Sequence, residues 1–212
     1  KPIDLAKVQA ISAASSASFA HTFTPIHAFP VNLSFPVTIE VSYFDISFVY
    51  CVSGEEYVLE QSPKMSLNYK NVLIVADENT FGAAGEKTIS ALEGKEIKKV
   101  IFTGKKVLVP NEEAISTVTE NLGGIDLIVG IGSGVIQDLC KYVSHFNNIP
   151  YMIVATAPSM DGYASDGAAM ITGGMKVTYK AGLPRAIIAD TEVLCNAPIE
   201  MLKAGYGDII GK

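Results

Sequence analysis

Histidine and cysteine are both scarce in this chain, and their scarcity removes several chemistries at the outset. The three histidines, His21, His27 and His145, are scattered over 212 residues. None forms an i, i+4 pair, the spacing that sets two imidazoles on one helix face for a metal. The three cysteines, Cys51, Cys140 and Cys195, are odd in number and far apart. They suit small buried residues in a reducing compartment, the cytoplasm, better than a disulfide frame or a zinc site. Charge is thin as well: 18% of residues are charged, with 16 Lys and Arg against 22 Asp and Glu. With a net charge of -6 and no long basic cluster, nucleic acid and anionic membrane surfaces are poor partners. No apolar run approaches the length of a membrane-spanning helix. The Ala/Ser-rich opening lacks the charged-then-apolar order of a signal peptide. No serine sits in a nucleophile elbow, so Ser-His-Asp hydrolysis is a poor reading. The first residue is Lys1 and not Met, so a start is expected to be missing or to have been removed.

What the chain does have is apolar residues, 49% of the total, enough for one large domain or one and a half. From about Tyr69 onward, short continuous apolar runs alternate with helical spacing. Strands are expected at 71–76, 100–102, 127–131, 151–155 and 186–190. Helices are expected at 82–92, at 111–122 with Asn111 as its N-cap, and at 134–146 with His145 near its C-terminal end. Buried-type strands separated by helices imply an α/β fold, a Rossmann-like parallel sheet with helices on both faces. Residues 168–172 and 175–179 flank Gly173-Gly174 and read as a β-hairpin. A helix is expected from Ala197-Pro198, breaking near Gly205, with a new one starting around Gly207-Asp208. The first part of the chain is different. A small-residue stretch at 13–18 is followed by an aromatic, β-branched stretch at 35–50 that suits one or two edge strands.

Two stretches carry the chemistry. Gly130-Ile131-Gly132-Ser133-Gly134-Val135-Ile136-Gln137-Asp138 is a glycine-rich turn between a strand and a helix. Glycines let backbone approach a phosphate without a Cβ clash, and the helix start presents N–H groups to it. This turn follows the third expected strand, whereas the usual dinucleotide fingerprint follows the first. Asp77, at the end of the first strand, is then a candidate for the ribose hydroxyls, and a carboxylate there disfavours a 2′-phosphate. The competing reading is a helix cap. The second stretch, Thr156-Ala157-Pro158-Ser159-Met160-Asp161-Gly162-Tyr163-Ala164-Ser165, sets hydroxyls and one carboxylate just past another strand. There Asp161 could orient substrate hydroxyls or close an Asx turn. Asp208 is an N-cap or a metal ligand, and spacing alone favours the cap.

With Ala204-Gly205-Tyr206-Gly207-Asp208 and Ile74-Val75-Ala76-Asp77-Glu78-Asn79-Thr80 added, these motifs resemble the sn-glycerol-1-phosphate dehydrogenases. That group is part of the wider set of iron-containing alcohol dehydrogenases, glycerol dehydrogenase and 3-dehydroquinate synthase. The resemblance covers roughly residues 55–212. It implies a Rossmann-like dinucleotide-binding domain at 55–190 and the start of a helical metal-binding domain at 191–212, with 1–54 unassigned. It implies NAD or NADP contacts at Asp77, Gly134, Val135, Ile136, Gln137, Asp138, Thr156, Ala157, Pro158, Ser159 and Ser165. It implies substrate contact at Asp161 and Asp208, with Asp208 also a catalytic ligand to one divalent metal, zinc, nickel or iron. The family completes that metal site with two histidines from its helical domain, and none of the three histidines here lies where the motif would place them. Residues before about 55 do not resemble the family, and 62–68 stand where it has a helix.

The implied activity interconverts dihydroxyacetone phosphate and sn-glycerol 1-phosphate, with a small phosphorylated polyol or ketone as the partner and a homo-oligomer allowed. A nucleotide-binding fragment without catalysis and a glycerol dehydrogenase-like polyol oxidoreductase stay open. Asp208, where the dehydroquinate synthase branch tends to carry Glu, and the Ser159-Met160-Asp161-Gly162 run weigh against a lyase.

Overall fold

The computed structural model describes residues 38–39, 48–52, 69–104 and 107–211. The stretches at 13–18 and 62–68 singled out in the sequence lie outside these.

 Among the described residues, five α-helices and nine strands run in the order β1 (Thr38–Ile39), β2 (Phe48–Val52), β3 (Asn71–Asp77), α1 (Glu78–Ala91), β4 (Glu96–Phe102), α2 (Glu112–Thr119), β5 (Leu127–Gly132), α3 (Gly134–Asn147), β6 (Tyr151–Ala155), β7 (Gly167–Thr172), β8 (Met175–Lys180), β9 (Ala186–Asp190), α4 (Thr191–Cys195) and α5 (Ile199–Ile210). Seven strands form one sheet in the order β1-β2-β9-β6-β5-β3-β4. Every pairing in it is parallel except β1 on β2.

Alternation along the strands divides the core in two. Leu73, Val75, Ile128 and Ile153 face Ala114 and Val118 of α2 and Ile136, Leu139, Cys140 and Val143 of α3. Val72, Ile74, Val129, Ile131 and Val154 face the opposite side, with Ala84 of α1 and Val193 of α4. Because both faces are covered, the central strands are apolar at nearly every position, as a doubly wound parallel sheet requires. The hairpin β7–β8 stands apart from the sheet and turns through Gly173 and Gly174, both at positive φ. A two-residue turn of this kind needs left-handed backbone, which glycine adopts without strain. Ile171 N–H donates to Pro110 O at 2.8 Å, and Gly173 N–H donates to the Glu112 carboxylate at 2.7 Å, so the hairpin is docked beside α2.

Several boundaries differ from expectation for local reasons. Helix α1 starts at Glu78, directly after the strand and not at Gly82, because Asp77 and Thr80 form a reciprocal capping box. Asn111 does cap α2, accepting from Ala114 N–H at 3.0 Å, but that helix ends at Thr119 before the Gly123-Gly124 turn. The short helix α4 was not expected; Asp190 starts it by accepting from Glu192 N–H at 2.8 Å. The last helix does not break at Gly205. It runs unbroken from Ile199 to Ile210, so Asp208 lies inside a helix and is not the N-cap that its spacing favoured. The stretch at 35–50 does contribute the edge strand β1 and the start of β2. Among the described residues, no helix is long and apolar enough to cross a membrane.

Candidate active site

The chain crosses over from β4 on one side of β3 to β5 on the other. Where strand order reverses in this way, the crevice beyond the carboxyl ends is the ligand-binding position of open α/β sheets. Here that crevice opens between Asp77, the last residue of β3, and Gly132, the last residue of β5.

At the β3 side, Asp77 Oδ1 accepts from Asn79 N–H and Thr80 N–H, both at 2.9 Å, while Thr80 Oγ1 accepts from Asp77 N–H at 3.0 Å. Asp77 is therefore a helix cap, the competing reading of this residue. Both cap bonds fall on one carboxylate oxygen, so capping does not engage Oδ2.

At the β5 side the motif glycines do different jobs. A Cβ at Gly130 would lie 2.9 Å from Cys140 Sγ and 3.0 Å from Ile153 Cδ1, and one at Gly132 would lie 2.6 Å from Ile136 Cβ. These two glycines let α3 lie close on the sheet. A Cβ at Gly134 would meet only Met160 Sδ, at 3.5 Å. Ser133 precedes the helix without a side-chain cap bond, and Gln137 N–H donates to Ser133 O at 2.9 Å. The N–H groups before Gln137 thus have no side-chain cap, little crowds position 134, and such a helix start suits an anion.

The other residues of this motif point elsewhere. Ile136 is 1% exposed and belongs to the core, and Val135 is half-buried at the first turn. Gln137 is fully buried; its Nε2 donates to Tyr163 O at 2.6 Å. The Asp138 carboxylate accepts a hydrogen bond from the backbone of Ala169 in the hairpin, and burial raises its pKa against the opposing pull of Lys141. The side chains of Ile136, Gln137 and Asp138 thus serve the core, the loop and the hairpin, and the motif's offer to an anion is its backbone.

The loop after β6 sits beside this helix start. Thr156 N–H donates to Gly132 O at 3.2 Å, extending the β5–β6 ladder. Ala157 is buried, with Pro158 and Ser159 partly exposed. The Tyr163 hydroxyl donates to Ala157 O at 2.8 Å and lies 3.5 Å from Gly132 O, tying the second motif to the first. Burial pushes the Tyr163 phenol up, so it is a neutral donor at ordinary pH. Ser165 Oγ donates to Gly162 O at 2.9 Å, closing the 3₁₀ turn Gly162–Ala164.

Helix α5 closes the arrangement from the far end of the chain. A Cβ at Gly205 would lie 2.0 Å from Pro158 O, so the helix backbone rests directly on the loop. One turn on, Asp208 Oδ2 accepts from Asp161 N–H at 3.1 Å. Asp161 and Asp208, the two residues expected to meet substrate, are thereby brought together from segments 47 residues apart, through the backbone of one and the carboxylate of the other. Among the described residues, no group of three or more His, Cys, Asp or Glu side chains could hold a metal ion. An exposed Asp208 alone does not make a zinc-, nickel- or iron-type site, which takes three or more protein ligands. The described residues therefore do not by themselves fit the implied metal.

Sequence reasoning does not assign the roles of three residues of this arrangement: Lys141, Tyr163 and Gly205. Lys141 left a readable signal, a cation among Leu139, Cys140 and Val143 on the apolar face of α3. Gly205 reads as a helix break, because sequence alone does not show which backbone crosses it.

The sheet order and the uncapped helix start define a doubly wound α/β domain with a glycine-rich helix N-terminus at its switch point. The chain belongs to the iron-containing alcohol dehydrogenase family, whose sequence profile matches residues 56–198. It is 32% identical over 176 residues to a glycerol-1-phosphate dehydrogenase, NAD(P)+, of Geobacillus thermodenitrificans, covering 80% of this chain and 44% of that protein. It is 36% identical over 141 residues to the enzyme of the same name from Methanosarcina acetivorans, covering 66% of this chain and 39% of the relative. Among solved structures, glycerol dehydrogenase from Schizosaccharomyces pombe superposes with a TM-score of 0.56 at 27% identity. That match covers 66% of this chain and 36% of the other. The chain thus spans less than half the length of these relatives.

Proposed function

We propose that this chain carries the dinucleotide-binding part of an NAD(P)-dependent glycerol-1-phosphate dehydrogenase, which interconverts dihydroxyacetone phosphate and sn-glycerol 1-phosphate. The observation that carries this reading is the start of α3: no side chain caps it, Gly134 keeps it open, and it lies at the switch point. The curated relatives' shared name supports the substrate, and supports it over the glycerol of a glycerol dehydrogenase.

A dinucleotide laid along the carboxyl edge would follow the strand order β3, β5, β6. Its adenosine would lie by Asp77, its pyrophosphate on the amides of Gly134, Val135 and Ile136, and its nicotinamide by the loop containing Thr156, Ala157, Pro158, Ser159 and Ser165. The nicotinamide, once bound, supplies hydride transfer to or from the substrate carbon. Asp161 and Asp208, adjacent at that end, would accept hydrogen bonds from substrate hydroxyls and hold the reacting carbon toward the nicotinamide. In this reading residues 55–190 form the nucleotide domain and 191–212 open a second domain, which would complete a metal site. A cytoplasmic setting is in keeping with Cys140 and Cys195, both free thiols.

The test is a fluorescence titration of the purified chain with NADH, alongside Gly134→Val and Asp77→Asn. Valine at 134 fills the cradle while meeting only the flexible Met160 tip, so affinity should fall at least about tenfold with folding preserved. Asparagine at 77 keeps an oxygen for the helix cap and removes the charge, separating ribose binding from capping. Absence of saturable binding by the wild-type chain, or equal binding by Gly134→Val, would overturn the reading.

A further inference from the structure

The strongest unassigned feature is a buried cation behind the second motif. Lys141, in the middle of α3, is 1% exposed, a condition lysine almost never meets without partners. Its ammonium has three donors, and three oxygens surround it: Gly167 O at 2.9 Å, Ser165 Oγ at 3.1 Å and Gly162 O at 3.5 Å. All three lie in the segment that follows Asp161, from the 3₁₀ turn at Gly162 to Gly167, the first residue of β7. One helical turn earlier, Gln137 Nε2 donates to Tyr163 O at 2.6 Å and lies 3.4 Å from Gly162 O. Two side chains of one helix therefore bind the same turn through several oxygens, and neither is exposed. Asp138 and Asp166 supply the negative charge that holds the ammonium, against burial, which lowers its pKa.

A core cation of this kind is expensive to keep. Taking a charge out of water is costly, and a well-packed apolar residue is often as stable. What Lys141 supplies that an apolar residue would not is geometry. Because an ammonium only donates, Ser165 Oγ must accept from it, and the serine proton goes to Gly162 O at 2.9 Å. The turn is then fixed in shape and in hydrogen-bond polarity, and Asp161 enters it with its N–H already engaged by Asp208.

We propose that Lys141, together with Gln137, is a positioning residue: it fixes the Gly162 to Gly167 turn and so sets Asp161 and Ser165 at the nicotinamide end of the crevice. The proposal rests on the dinucleotide reading above. It makes a demand that a merely structural lysine would not. The turn lies beyond β6, whereas the adenosine and pyrophosphate positions lie at β3 and β5, so the two ends of the ligand should respond differently.

The experiment compares NADH with ADP, which carries the adenosine and phosphates but no nicotinamide. Both are titrated against wild type, Lys141→Met and Gln137→Met, with thermal denaturation of each. Methionine keeps the length of either side chain and removes its donors. NADH affinity should fall about tenfold or more in Lys141→Met, as loss of hydrogen bonds to a charged donor predicts, while ADP affinity stays within about twofold. Gln137→Met should show the same split to a smaller degree, and it keeps the test decisive if Lys141→Met does not fold. Equal loss of NADH and ADP in the folded variants would make the pair structural and overturn the proposal. So would unchanged NADH affinity in both. Wild type that binds neither ligand would instead remove the dinucleotide reading on which the proposal stands.

Discussion

Replacing Gly205 by alanine should loosen the C-terminal helix, although glycine to alanine in a helix interior normally stabilises. The ordinary gain is about 1 kcal/mol, from the lower backbone entropy of the unfolded chain. At Gly205 the new Cβ would stand 2.0 Å from Pro158 O and 2.9 Å from Pro158 C. Contact distances between heavy atoms are about 3.5 Å, so helix and loop must separate by about 1 Å or more. Overpacking costs about 1–3 kcal/mol, and the upper end applies because backbone, with no rotamer to change, is what gets in the way. The net expectation is a loss of about 1–2 kcal/mol, together with the hydrogen bond from Asp161 N–H to Asp208. Gly207, two residues on in the same helix, is the internal control. A Cβ there would meet nothing within 4 Å, so Gly207→Ala should show the ordinary gain. Amide hydrogen exchange across Ile199–Ile210 reads both changes locally. Exchange should become roughly 5–30-fold faster in Gly205→Ala and about fivefold slower in Gly207→Ala. Shifts of the same sign in the two variants would refute the claim that α5 rests on the Pro158 backbone.

Removal of the Tyr163 hydroxyl by Tyr163→Phe leaves Ala157 O without its 2.8 Å donor; a loss of about 1–2 kcal/mol in urea denaturation is expected, and an unchanged midpoint would count against the latch. Asp138 should make stability depend on pH. Its pKa is raised above 3.8 in the fold, chiefly by burial, so its contribution is complete below the unfolded value and is lost as pH rises through the folded one. Asp138→Asn, neutral throughout, should therefore gain on wild type as pH climbs from about 4 toward neutrality. Urea midpoints across that range check the slope, and a gain in the acid direction would contradict the sign.

The parallel sheet was legible because its strands are buried on both faces and read as continuous apolar runs, as at residues 151–155, where the expected and observed limits agree. The hairpin was legible from Gly173-Gly174, since few residues accept the backbone that its turn requires. The glycine-rich motif showed its strand-to-helix context but not its division of labour. Which glycine faces a packed helix and which faces open space depends on neighbours such as Ile136 and Met160. Asp77 and Asp208 illustrate the same limit from opposite sides. The first reads as cap or ligand; Thr80, three residues on, makes the cap a local matter, and it uses only one carboxylate oxygen. The second was assigned to a helix start because two nearby glycines suggested a break, and only the distant Pro158 explains why the helix continues. Lys141 lay in plain sight as a charge on an apolar face, yet its acceptors come from residues 162–167, which sequence does not place beside it.

Strand order also bears on how the chain reaches this state. The strands β3 to β6 and their helices occupy residues 71–155 without interruption, and each crossover joins near neighbours in sequence. By contrast β2 pairs in parallel with β9, where Phe48 meets Ala186, and β9 in turn pairs with β6. Contacts between such distant segments form only after a long loop has closed, and the entropy of closure is lost before any pairing returns it. The central block is therefore the natural nucleus, with β9 added to its edge and β2 joining only once β9 is in place. Mutations in β3 to β6 should then slow refolding, whereas those in β9 should mainly hasten unfolding.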